Sequence, residues 1–140
     1  MDHGGELLTF VNHNARMGME TTAHLMDILK DGPLYDELME QHKAYRTLAA
    51  KAEAQAEEPL GKVPLPARAM SYLMIDMKTL MDRSPGNIAQ MMVKGSANGI
   101  VEITKQLRQY EGTAPRAESL AKELLKMEEH HMEVLKGYIS

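Results

Sequence analysis

The 140-residue chain contains no cysteine and no tryptophan, and only one phenylalanine. Without cysteine there is no disulfide framework, no thiolate metal site and no thiol nucleophile. That absence suits a reducing compartment. Long apolar runs are also missing, and nothing approaches the roughly 20 residues that a helix needs to cross a bilayer. The opening residues Met1-Asp2-His3-Gly4-Gly5 carry neither a charged leader nor an apolar core of the signal-peptide kind. These absences set the expectation of a cytoplasmic chain with no membrane insertion. Basic tracts are missing too. The net charge is −4 and the pI about 5.9, so nucleic acid and anionic membranes are not expected as partners. No nucleophile motif, phosphate loop or nucleotide fingerprint is present. The run Gly95-Ser96-Ala97-Asn98-Gly99 lies within a helical pattern, not after a strand, and is not read as a phosphate cradle. Any chemistry in this chain is therefore metal chemistry.

Methionine is abundant, with 13 residues. A core of Leu, Ile, Ala and Met is a helical palette. Apolar and small residues recur at spacings of three and four in five stretches, and no strand pattern or convincing repeat appears. The first helix is expected over residues 6–30, with the seam Leu8, Val11, Ala15, Gly18, Thr22, Leu25 and Leu29. It stops at Asp31-Gly32-Pro33. The second is expected over residues 34–56, with Tyr35, Leu38, His42, Tyr45, Ala49, Ala52 and Ala56 inward. So short a link makes these two antiparallel neighbours. Pro59, Gly61, Pro64 and Pro66 then impose an extended connection.

A shorter helix is expected over residues 67–82, with Met70, Met74, Met77 and Met81 filling core gaps. Ser84-Pro85 reads as an N-cap followed by proline at the first helical position. The next helix, 85–110, turns Ile88, Met92, Gly95, Ser96, Gly99, Ile103, Leu107 and Tyr110 inward. Gly112 to Pro115 forms a turn with Thr113 as N-cap, and a last helix covers 115–139. The whole chain, 1–140, is read as one all-α domain: an antiparallel four-helix bundle with a shorter extra helix in the crossover between two hairpins.

The last helix holds the most informative feature. At about 100° per residue, Ala117, Leu120, Leu124, Met127, Leu135 and Tyr138 share one face. Glu128 and His131 fall on that same face, while Glu129 and His130 point away. A carboxylate and an imidazole one turn apart are thus placed in an apolar stripe, where burial is costly unless they are paired or ligated.

Two hairpins joined by a long crossover is the plan of the ferritin-like bundles. Residues 120–139, with Glu128-Glu129-His130-His131 as their Glu-x-x-His motif, resemble the closing helix of rubrerythrin- and ferritin-like proteins. The architectural resemblance covers the whole chain; the motif covers this helix and, more faintly, His42. The resemblance implies a metal site in the bundle core. Three positions depart from the family pattern: Met39 stands three residues before His42, Glu20 points almost opposite to the seam of its helix, and Gly95, Ser96 and Gly99 stand where a ligand is wanted.

In the ferritin-like plan, His42, Glu128 and His131 come to one height beside Gly18, Thr21, Thr22, Gly95, Ser96 and Gly99. Two imidazoles and one carboxylate suit a single divalent ion: iron, zinc or manganese. The small residues either leave room for a small ligand near Gly95, Ser96 and Gly99 or let the backbones approach closely. His42 is as well explained by a hydrogen bond to Glu128 or to a tyrosine hydroxyl. His13, Glu20 and His24 read as a solvated face.

Two functions follow. One is a ferritin-like protein with a buried His42–Glu128–His131 metal site and a redox or metal-holding role. The other is a metal-free bundle of the same plan acting as a structural or self-assembling module. A homo-oligomer is expected in either case.

Overall fold

The computed structural model describes residues 3–57, 60 and 81–139. All secondary structure among them is helical. We number the helices α1 (His3–Leu29), α2 (Pro33–Gln55), α3 (Pro85–Gln109) and α4 (Pro115–Lys136). Of the extra helix expected over residues 67–82, only Met81 and Asp82 are among the described residues, and neither is helical. The proline-rich connection likewise lies almost wholly outside them.

The helix ends follow local chemistry. Lys30, with φ of 69°, takes the left-handed conformation that closes α1, its N–H returning to the Met26 carbonyl at 2.8 Å. Gly32, with φ of 103°, makes the reversal that places Pro33 at the start of α2. Ser84 caps α3 as expected, its hydroxyl accepting from the Asn87 N–H at 3.4 Å, with Pro85 at the first turn.

The start of α4 differs from expectation: Ala114, not Thr113, is the N-cap. The Thr113 hydroxyl instead donates to the Tyr110 carbonyl at 2.6 Å. Glu118 caps in its place, accepting from the Gly112 and Ala114 N–H groups at 2.9 and 3.0 Å. A carboxylate one turn into a helix can reach back over the open amides, and its charge suits the positive end of the helix dipole.

α1 packs chiefly on α2, and α3 on α4, while α1 and α4 join the two hairpins. Two apolar clusters define the directions. One gathers Leu7 and Val11 of α1, Leu48 and Ala52 of α2, Ile103 of α3 and Leu120 and Leu124 of α4. The other gathers Leu25, Leu34, Leu38, Ile88, Met92 and Leu135. The first cluster thus joins the beginnings of α1 and α4 to the ends of α2 and α3, and the second joins the opposite ends. α1 therefore runs parallel to α4, α2 parallel to α3, and each hairpin is internally antiparallel. Near the first cluster the Tyr110 hydroxyl donates to Glu6 Oε2 at 2.5 Å, linking α3 to α1.

The inner faces of α1, α3 and α4 are close to those expected: Val11, Ala15, Thr22, Leu25, Ile88, Met92, Ser96, Ile103, Leu120, Leu124, Glu128, His131 and Leu135 are all buried. α2 is rotated. Its buried line is Leu34, Leu38, Gln41, Tyr45, Leu48, Ala49 and Ala52, so Gln41 takes the central place assigned to His42, which is only half-buried. Expected close packing holds at Gly18 and not at Gly99. A Cβ on Gly18 would lie 2.6 Å from the Tyr45 ring, whereas one on Gly99 would meet nothing within 4 Å.

Candidate functional site

Between the two apolar clusters lies a polar layer to which all four helices contribute. Buried there are Thr21 and Thr22 of α1, Gln41 of α2, Ser96 of α3, and Glu128 and His131 of α4. Tyr45 of α2 holds the layer together. Its hydroxyl donates to Glu128 Oε1 at 2.5 Å, a short charge-assisted geometry when the carboxyl is ionised. The same oxygen lies 3.4 Å from His131 Nδ1, and the two rings meet edge-on, with centroids 5.2 Å apart and planes at 74°. The phenol has one proton, which it gives to Glu128. Its oxygen therefore accepts from His131, placing the imidazole proton on Nδ1. Ser96 of α3 faces Glu128 closely enough to pull its carboxyl down against burial.

Gly18 makes this arrangement fit. The Tyr45 ring lies so close to the α1 backbone that any side chain at position 18 would collide with it. The small residue recognised in the seam of α1 is thus the complement of an aromatic on α2.

Burial dominates the electrostatics. It pushes the Glu128 carboxyl up to about 7, with the Tyr45 hydrogen bond and Ser96 pulling the other way. It drives His131 down to about 4, helped by the neighbouring charge of His130. Burial also raises the Tyr45 phenol well above its ordinary value, and the adjoining Glu128 carboxyl adds to the rise. Withdrawal from water disfavours the charged form in each case. Below pH 7 the layer is a neutral carboxylic acid, a neutral phenol and, down to about pH 4, a neutral imidazole. Such a set satisfies itself by hydrogen bonding with no buried charge to offset.

Gln41 is less well served. It is 1% exposed, and neither amide atom makes a hydrogen bond of good geometry, although it is near enough to Glu37, one turn earlier, to pull that carboxyl down against burial.

Of the expected ligands His42, Glu128 and His131, the structure brings the last two together around Tyr45. His42 is turned to α1 instead, its Nδ1 lying 3.1 Å from the Met19 carbonyl and 3.0 Å from the Thr22 hydroxyl. Among the described residues no group of three His, Asp or Glu side chains stands close enough to hold a metal ion. One carboxyl and one imidazole fall short of the three or four donors that zinc or non-haem iron sites use.

The small-ligand space expected near Gly95, Ser96 and Gly99 has one member, Ser96, turned to Glu128. Both glycines are half-buried. Sequence reasoning put Tyr45 on the inner stripe without giving it a role. The signal was available: Gly18 and Tyr45 lie on antiparallel neighbours, and a buried phenol needs a polar partner.

Comparison of the chain with protein-family models, with curated proteins and with solved structures finds no match to any of them.

Proposed function

We propose that this chain is a ferritin-like bundle of the structural or interaction class, in which the core carboxyl and imidazole hold the two hairpins together. The observation that carries this reading is the Tyr45 hydroxyl standing between Glu128 and His131. The position that a metal would occupy between two such donors is answered by a side chain of α2. The ferritin-like plan is supported by the helix directions, with α1 parallel to α4 and α2 parallel to α3, which require a long connection between the hairpins. A homo-oligomer belongs to the same reading.

The test is metal analysis of untagged protein after incubation with Fe(II), Zn(II) or Mn(II) and gel filtration, with molar mass read by light scattering. We expect metal well below one equivalent and a mass above that of the monomer. One equivalent of metal, lost in Glu128→Ala and His131→Ala, would overturn it.

A second reading retains the site of His42, Glu128 and His131 for one iron, zinc or manganese ion. What favours it is Gln41, whose unpaired buried amide leaves the layer incompletely satisfied. On that reading His42→Ala abolishes the bound equivalent; on the first it changes nothing.

A further inference from the structure

The histidine that does not join the central layer points to a different site. An open groove of about 410 Å³ lies between α1 and α2, lined by Ala23, Met26, Asp27, Lys30, Tyr35 and His42. It shares no residue with the Tyr45–Glu128–His131 network.

His42 is fixed in this wall by its inner edge. The Thr22 hydroxyl has one proton, which goes to the Gly18 carbonyl at 2.8 Å. Its oxygen therefore accepts from His42, and the Met19 carbonyl can only accept. Both contacts require the proton on Nδ1. In the neutral ring Nε2 then carries a bare lone pair, on the edge opposite the α1 backbone. A histidine oriented by a carbonyl behind it is held ready to receive a donor in front.

The other polar groups of the groove are equally uncommitted. Asp27 and Lys30 carry opposite charges on the same wall, yet neither is a partner in any of the ion pairs among the described residues. Tyr35 is half-buried, and Met26 and Ala23 supply apolar floor. One carboxylate and one imidazole lone pair can accept; one ammonium and one phenol can donate.

We propose that this groove binds a small zwitterion of the amino-acid class, its ammonium received by His42 Nε2 and Asp27 and its carboxylate by Lys30 and Tyr35. A ligand with one charge would answer only half of these groups. The volume is at the lower end of small-molecule sites, which suits a free amino acid, and the open, water-facing walls imply weak binding.

The test is ¹H–¹⁵N correlation spectroscopy of the intact chain, titrated separately with glycine, L-glutamine and L-phenylalanine. Acetate and ethylammonium serve as single-charge controls. Concentrations reach about 20 mM, above the roughly millimolar Kd of such a site. We expect saturable shifts confined to residues 23–30 and 35–42 for at least one amino acid, with a change in the His42 Nε2 signal. Both single-charge probes should bind at least about tenfold more weakly. Asp27→Asn and Lys30→Met, both at exposed positions, should each weaken the amino acid by a similar factor with the rest of the spectrum unchanged. No saturable shift with any amino acid, acetate or ethylammonium matching the best of them, or wild-type affinity in both variants would each overturn the proposal. Should a variant spectrum show loss of fold, the comparison of probes on the wild-type chain decides the matter alone.

Discussion

His131 and His42 occupy the middle of the same bundle and have opposite surroundings. His131 is 5% exposed, meets the Tyr45 hydroxyl and is held neutral down to about pH 4 by burial and by His130. His42 is half-buried, anchored by one edge to the α1 backbone, with its other edge on a groove. The same side chain is a structural element in one place and an open acceptor in the other. What decides between these roles is whether the second nitrogen still faces space a partner can enter, not the residue type. The contrast can be broken or sharpened by experiment.

The largest effect is expected from Tyr45→Ala. It removes a buried aromatic and leaves Glu128 without its principal hydrogen bond, for a loss of about 3–5 kcal/mol. His42→Ala, at a half-exposed position where water replaces the lost contacts, should cost less than about 1 kcal/mol. Urea denaturation of the two variants makes the comparison. Equal losses would mean that His42 is as structural as the central layer.

The second effect concerns pH. Glu128 has its folded pKa raised to about 7 from 4.5, so the stability it contributes is fully present below pH 4.5 and is lost as pH rises through 7. His131 has its folded pKa lowered to about 4 from 6.5, so its contribution is present above pH 6.5 and is lost as pH falls through 4. Between pH 4.5 and 6.5 the slopes oppose and cancel, because folding moves one proton from the histidine to the carboxylate. Removing one partner exposes the other. Glu128→Gln, with only the histidine left to titrate, should show a stability that climbs with pH from 4 to 6.5. His131→Phe should show a stability that declines from 4.5 to 7. Each change is on the order of 2–3 kcal/mol across its window. Parallel pH profiles in all three proteins would show that the pair does not exchange a proton on folding.

The smallest effect has the opposite sign. Gln41→Leu replaces a buried, unpaired amide by an apolar group of similar size and should stabilise by about 1–2 kcal/mol. A loss of that size in thermal melts would reveal a partner for Gln41 and remove the observation that favours the second reading of the central layer.

Much of this arrangement was legible beforehand. The breaker at Gly32-Pro33, the cap at Ser84-Pro85 and the inward turn of Glu128 and His131 follow from local rules, and the structure has them in place. α2 was harder to phase. The lines Leu38-His42-Tyr45-Ala49-Ala52 and Leu34-Leu38-Gln41-Tyr45-Leu48-Ala52 both keep spacings of three and four and share Leu38, Tyr45 and Ala52. Choosing between them means accepting glutamine in the core, where a polar side chain is ordinarily read as solvent-facing. In the structure Leu34 and Leu48 are buried while Tyr35 and His42 are only half-buried, so the second line takes two leucines out of water where the first would take a phenol and an imidazole that need partners. Once α2 is turned by that step, His42 leaves the centre, and the expected trio separates into a pair and a groove residue.

The connectivity has a kinetic consequence. α1 meets α2 across only residues 30–32, and α3 meets α4 across a similarly short turn, whereas residues 56–84 separate the hairpins. Loops that short close rapidly, while a long connection adds an entropic cost that grows with the logarithm of its length. Each hairpin can therefore form on its own before the two dock. The Tyr45–Glu128 bond and the Ser96 contact both depend on docking or on the helix pairing within the second hairpin, and the bond from α2 to α4 is made only when the halves meet. The central layer then acts late, as a latch: weakening it should quicken unfolding while leaving the early, local steps of folding nearly untouched.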